Sequence, residues 1–179
     1  MTGAGNVYGE ALYDLAKAEG LSADILQQLA VLDQSFDQQP QFLQLLAAPG
    51  VSKQERCAVL DESFKGRVHP YVLNFLKILA EKGYAKQFPQ CVKAYREHFN
   101  ADNGILPVTA VTAIPLSDSQ ASRLTEKLSQ LTGKTVELNN RIDTSVLGGI
   151  RLQYSGKQLD DTVQHRLAAI RDTLKNTVL

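Results

Sequence analysis

The spacing of apolar residues changes period partway along the chain, and that change limits the possible folds more than any other feature. Up to about residue 103 they recur every three or four positions. Past Ala101-Asp102-Asn103-Gly104 they recur every two. A helix buries one face with a 3.6-residue period and a strand with a period of two, so the segments build different kinds of layer. The chain is read as α+β. A six-helix bundle occupies 1–103 and a small α/β domain with a mixed sheet occupies 104–179. With 179 residues, 44% of them apolar, it can bury a real core, although the shorter second half has a limited core of its own.

Local signals divide the first half into helices. Tyr8, Ala11 or Leu12, and Leu15 mark the first. Ser22 is the expected cap of the second, whose stripe is Ile25, Leu29, Leu32 and Phe36. Pro40 opens a short third helix and Pro49-Gly50 stops it. Ser52 and Glu55 form a capping box for the fourth, with Cys57, Leu60 and Phe64 inward. Pro70 sits in the first turn of the fifth and Gly83 ends it, while Phe88, Cys91 or Val92, Tyr95 and Phe99 define the sixth. In the second half a strand near 107–113 precedes a helix capped by Ser117 and Gln120. That helix has Ala121, Leu124, Leu128 and Leu131 inward, and Gly133 closes it. A last helix carries Val163, Leu167, Ile170 and Leu174.

Between those two helices lies Ile142–Leu152, in which Gly148 and Gly149 separate two alternating runs. Val136, Leu138 and Ile142 share one face upstream, interrupted only by Asn140. Ile150, Leu152 and Tyr154 continue the alternation downstream. The pattern reads as strand, tight bend, strand. Glycine suits such a bend, or a place where another backbone passes closely. A phosphate cradle would need its glycines to lead into a helix, whereas these lead into a strand, so the pair is read as a structural joint.

No motif nominates a catalyst. Gly133-Lys134-Thr135 mimics the end of a P-loop, but the glycine needed five positions upstream is Leu128. The order is also helix to strand, the reverse of a P-loop. Cys57 and Cys91 form no C-x-x-C pair and are read as reduced, buried small hydrophobes. His69, His98 and His165 are scattered, without metal-ligand spacing, and neither metal nor cofactor is expected. Basic and acidic residues both total 19, and the halves carry net charges of −2 and +2, without the basic stripe that nucleic acid requires. Arg166, Arg171 and Lys175 are read as the solvated face of the last helix. No basic region followed by an apolar run opens the chain, and no stretch approaches the ~20 apolar residues that span a bilayer. The expectation is a soluble intracellular protein that reaches a membrane only through another protein.

Two surfaces leave alternatives open. Before residue 50 the one basic side chain is Lys17, against Glu10, Asp14, Glu19, Asp24, Asp33 and Asp37. That excess fits an ordinary solvated face or a docking surface. On the fifth helix Val72, Leu76 and Leu79 make one stripe, and Tyr71, Phe75 and Ile78 make a second beside it. Such a wide apolar face fits a central helix packed on several sides, or one that keeps part of its face for a partner.

The segments Val7–Ala16, Asn74–Gly83, Val108–Ser117 and Ile142–Leu152, in this order and spacing, resemble the delta subunit of bacterial F-type ATP synthases. The mitochondrial relative is the oligomycin-sensitivity-conferring protein. The resemblance covers essentially the whole chain. It departs at Ser155-Gly156-Lys157 and Asp160-Asp161-Thr162, where the family commonly has a Gly-Asp turn and an Asp-Gly-Ser-like helix start.

What the resemblance implies is a non-catalytic subunit of the peripheral stalk, which holds the alpha-beta head still against rotor torque at the cytoplasmic face of the cell membrane. The helical domain would receive an alpha-subunit N-terminal helix in a groove between its first and fifth helices, where Tyr8, Ala11, Phe75 and Ile78 hold the matching positions. The second domain, containing Gly148 and Gly149, would meet the C-terminal end of the b subunit. No cofactor is implied. Aspartate at Phe75 or Ile78 would weaken binding of the alpha peptide and leave the fold intact. A generic two-domain adaptor with a small ligand-binding α/β module, a small-molecule enzyme and a nucleic-acid binder are the competing readings.

Overall fold

The computed structural model describes residues 3–48, 50–146 and 148–162. The last helix expected from Val163 onward, with Arg166, Arg171 and Lys175, lies outside them. The described residues form a mixed α+β fold with seven α-helices and one four-stranded sheet. Contacts divide the chain into two compact units, 1–99 and 100–179.

The first unit holds α1 (Ala4–Ala18), α2 (Ser22–Gln38), α3 (Pro40–Leu46), α4 (Lys53–Phe64) and α5 (Pro70–Lys82). A 3-10 turn at Ala85–Gln87 follows, then most of α6 (Phe88–Asp102). One continuous core joins them. Ile25, Leu60, Val72, Phe88 and Tyr95 are wholly buried, and the Phe36 ring lies 5.1 Å from Phe88 and 5.4 Å from Phe42. Helix boundaries follow local chemistry. Ser52 Oγ accepts from the Glu55 amide at 3.2 Å, and the Glu55 carboxylate accepts from the Ser52 amide at 2.8 Å. Gly83 ends α5 in the left-handed conformation at φ +77°.

Two local expectations are corrected. Ser22 lies inside α2, and Leu21, which has no capping side chain, takes the cap position. The Ser22 carbonyl instead accepts a hydrogen bond from the Tyr95 hydroxyl at 2.9 Å. Cys91 is buried and desolvation pushes its thiol up to about 11, but Cys57 is only half-buried. The Cys57 thiol reaches Glu81 Oε1 at 3.4 Å, so this residue sits on the flank of α4 and not in the core.

In the second unit β1 (Ile105–Thr112), α7 (Asp118–Thr132), β2 (Thr135–Ile142), β3 (Ile150–Tyr154) and β4 (Lys157–Asp160) form a sheet of order β2-β1-β3-β4. β1 pairs in parallel with β2 and antiparallel with β3. The strands on either side of the glycine pair are therefore not joined by a tight bend. β1 lies between them, and the crossing from β2 to β3 lies at its Thr112 end, where Ile142 and Ile150 both pair. Along this crossing the Asp143 amide donates to the Thr112 carbonyl at 2.9 Å, Asp143 Oδ1 accepts from the Ser145 hydroxyl at 2.6 Å, and Val146 is fully buried. Gly149 takes φ +83°, and a Cβ there would lie 2.9 Å from Thr162 Cα and closer still to the Asp161 carbonyl oxygen.

Leu124 and Leu128 pack α7 against Leu106, Val108, Ala110, Val136 and Leu152. The inward stripe runs out there: Leu131 is 82% exposed, and Ile142 at the end of β2 is 52% exposed. Asn140 interrupts the apolar face of β2 because it is a latch. Its amide nitrogen donates to the Ala110 carbonyl and to Thr112 Oγ1, both at 2.9 Å, and its oxygen accepts from the Leu116 amide at 2.9 Å.

β4 was not expected from the sequence. It pairs with β3 through a two-residue turn, Ser155 (φ +44°) and Gly156 (φ +73°), the positive-φ pair that matches the twist of a hairpin. Asp160 fastens this hairpin. Its carboxylate accepts from the Thr162 hydroxyl at 2.7 Å, the Thr162 amide at 3.1 Å and Arg151 Nε at 2.9 Å. The Thr162 hydroxyl first, then its amide and Arg151, hold the Asp160 carboxyl at about 2, below the usual carboxylate value near ~3.9. The folded state binds this proton less readily than the unfolded one, so the latch is fully formed above about pH 4. It weakens as pH falls towards about 2. The protection of amides across Arg151–Asp160, taken relative to their intrinsic exchange at each pH, is expected to fall over that interval, and Asp160→Asn should lower the protection above about pH 4 and flatten its fall below.

Candidate partner-binding groove

Two amphipathic helices of the first unit present mostly apolar side chains with the same spacing. α1 contributes Tyr8, Ala11, Leu12 and Leu15, and α5 contributes Tyr71, Asn74, Phe75 and Ile78. Each set runs i, i+3, i+4, i+7, so each lies along one face and the two faces make the walls of an open trough of about 430 Å³. The walls are graded in depth. Leu12 and Phe75 are 5% and 6% exposed and form the floor, whereas Leu15 and Ile78, both 43% exposed, stand at the lip. At one end the Tyr8 ring lies 5.8 Å from Tyr84.

α1 can carry this wall because of glycine on its other side. A Cβ at Gly9 would lie 2.9 Å from Ala94 Cβ and even closer to the Cys91 carbonyl, so α1 rests directly on α6. The Gly5 amide donates to Gln87 Oε1 at 2.9 Å. α5 is held through α4, where Lys77 Nζ meets Asp61 Oδ1 at 2.7 Å and Arg56 Nη1 donates to the Ala80 carbonyl at 3.0 Å.

All four residues singled out for the groove, Tyr8, Ala11, Phe75 and Ile78, line it together. Leu12, Leu15, Tyr71 and Asn74 also line it, and their spacing from the first four was the available signal. Phe75 is deeper than expected and belongs to the core, its ring 6.4 Å from Phe88. Gly148 and Gly149 lie far along the sequence, in the crossing of the second unit. Among the acidic residues before position 50, Glu10, Asp14, Glu19, Asp24 and Asp37 are exposed. Asp33 is half-buried with Oδ1 unpartnered among the described residues, and burial, then Asp37, raises its carboxyl.

The groove offers apolar surface, two phenols and one amide. What it can do chemically is bind: covering such side chains gains roughly 25 cal/mol per Å² removed from water. The second unit has a shallower cleft of about 500 Å³ between α7 and β2, where Leu116, Ser122, Glu126, Leu138 and Asn140 are among the lining residues. Gly133 caps α7 at φ +66° and leads into β2, so Gly133-Lys134-Thr135 forms a helix end. No described helix is long and apolar enough to cross a membrane.

The fold and groove define an α+β protein with an apolar, helix-lined trough, the makings of a connector between other proteins. The sequence profile of the ATP synthase delta (OSCP) subunit family matches residues 5–174. ATP synthase subunit delta of Alkaliphilus metalliredigens is 30% identical over 172 residues, 96% of each chain. That of Clostridioides difficile is 30% identical over 174 residues, 97% of this chain and 96% of the relative. A chain in the cryo-EM structure of the Toxoplasma gondii mitochondrial ATP synthase hexamer superposes with a TM-score of 0.75. It covers 97% of this chain and 98% of its own length at 19% identity, a likeness of fold.

This chain belongs to the ATP synthase delta (OSCP) subunit family. It is a non-catalytic peripheral-stalk subunit of an F-type ATP synthase, which the comparisons favour over the generic adaptor.

Proposed function

We propose that the groove between α1 and α5 receives the N-terminal helix of an ATP synthase alpha subunit, and that the α/β domain over 104–179 meets the C-terminal end of the b subunit. The helices of 1–103 act as a six-helix bundle seated on the alpha-beta head, at the cytoplasmic face of the cell membrane. The protein thereby ties the head to the stalk, so that rotor torque does work on the catalytic sites instead of turning the head. One observation carries this reading: Tyr8, Ala11, Phe75 and Ile78, distant in sequence, converge on one apolar trough.

The test uses Ile78, which stands at the lip and can change without disturbing the core. Ile78→Asp places a charge among apolar contacts, and affinity for a synthetic alpha N-terminal peptide should fall at least about tenfold while circular dichroism is unchanged. Phe75→Asp is a poor probe. At 6% exposure it buries a carboxylate in the core, so it should unfold the helical unit, contrary to the expectation from sequence. Failure of the unmodified protein to bind the peptide saturably would overturn the reading.

A further inference from the structure

Seven of the eight residues lining the groove are apolar or aromatic, and Asn74 is the exception. It sits midway along the α5 wall, one turn after Tyr71 and one turn before Ile78, with Phe75 beside it. Asn74 is exposed, and its amide makes no hydrogen bond to other described residues of the chain. The groove thus carries, at the centre of an otherwise apolar wall, an acceptor and two donors that no other described residue satisfies and that meet water while the groove is open.

Apolar contacts are nearly interchangeable when a docked helix slides by one turn, because they have no direction. An amide among them is not. Once a helix covers Asn74 and water leaves, its polar atoms are satisfied only in registers that place a polar group opposite. Tyr8 and Tyr71 escape this constraint, since a long phenol can keep its hydroxyl in water at the groove edge while its ring is covered. The short Asn74 side chain cannot. A single buried asparagine sets register in coiled coils by the same physics, at some cost in stability.

We infer that Asn74 is the specificity-determining residue of the groove, fixing the register of the docked helix by pairing with one polar side chain of that helix. This rests on the groove being the alpha-helix site. The test titrates the full chain, as wild type, Asn74→Ala and Asn74→Leu, with the alpha N-terminal peptide and with variants in which each polar residue is replaced in turn by alanine.

At one peptide position the replacement should weaken binding to wild type about tenfold and leave binding to Asn74→Ala unchanged. Every other position should behave alike in both proteins. With Asn74→Leu the unmodified peptide should bind at least as tightly, and a spin label at its end should report several positions where wild type gives one. Binding without coupling at any position would overturn the role of Asn74 and leave the groove assignment standing. Absence of binding to wild type would overturn both.

Discussion

Gly149→Ala is expected to destabilise the α/β unit by about 3–5 kcal/mol, enough to unfold its sheet in a large fraction of molecules. Two penalties coincide at this position. Its φ of +83° lies in the left-handed region, where an L side chain costs about 1–2 kcal/mol. The added Cβ would also lie 2.9 Å from Thr162 Cα and nearer to the Asp161 carbonyl. Those are backbone atoms, and they cannot swing aside as a side chain can. Gly156 separates the two effects: it has φ +73° and nothing within 4 Å of a Cβ, so Gly156→Ala should cost only the backbone part, about 1–2 kcal/mol. Urea unfolding followed by amide exchange in β1, β3 and β4 gives the comparison. Equal losses in the two variants would show that the approach of Asp161 and Thr162 carries no energy.

What the sequence conveyed about this fold depends on how far apart the interacting residues are. Ser52 with Glu55 and Ser117 with Gln120 were legible because a capping box is complete within four residues. Gly83 and Gly133 were legible as helix ends for the same reason. Strand order was not. β2 and β3 follow each other in the chain, yet β1 separates them, and alternation of side chains states which face is buried without naming the neighbour. β4 was missed because Leu159 is its one apolar residue and is 53% exposed, as suits a strand with little core to cover. Its Ser155-Gly156 turn was the remaining signal.

The groove was only half visible for a related reason. A second stripe on α5 shows that its apolar face is wide, but not whether α1 or a partner covers it. The family resemblance, and not periodicity, picked out Tyr8, Ala11, Phe75 and Ile78. Depth was hidden altogether. Phe75 and Ile78 are three positions apart on one face, yet one belongs to the core and the other to the lip.

Gly9→Ala should reverse the sign that helix propensity alone assigns to it. In an isolated helix the change stabilises by about 1 kcal/mol, because alanine loses less backbone freedom than glycine. Here the new Cβ would meet Ala94 Cβ at 2.9 Å and the Cys91 carbonyl at closer range, so α1 must lift from α6 or α6 must bend. Overpacking of this kind costs about 1–3 kcal/mol, and more where backbone is the obstacle. With a backbone carbonyl as the obstacle the cost should reach at least the top of that range, so after the propensity gain of about 1 kcal/mol the expected net effect is a loss of about 2 kcal/mol or more. Gly5→Ala is the milder comparison on the same helix: its Cβ would meet Gln90 Cβ at 2.9 Å, which the α6 backbone fixes, but Gln90 Oε1 at 3.2 Å can rotate away and the nearest backbone atom, the Gln87 carbonyl oxygen, is 3.5 Å off. That variant should lose less stability than Gly9→Ala. The functional consequence follows from geometry, since α1 supplies Tyr8, Ala11, Leu12 and Leu15 to the groove, and a helix displaced from α6 moves that wall relative to α5. In the folded fraction of Gly9→Ala, affinity for the alpha peptide should drop by more than about tenfold, and the drop in Gly5→Ala should be smaller. Thermal unfolding with calorimetric titration of both variants decides the matter, because a stabilised Gly9→Ala with intact binding would mean that α1 does not owe its position to this contact.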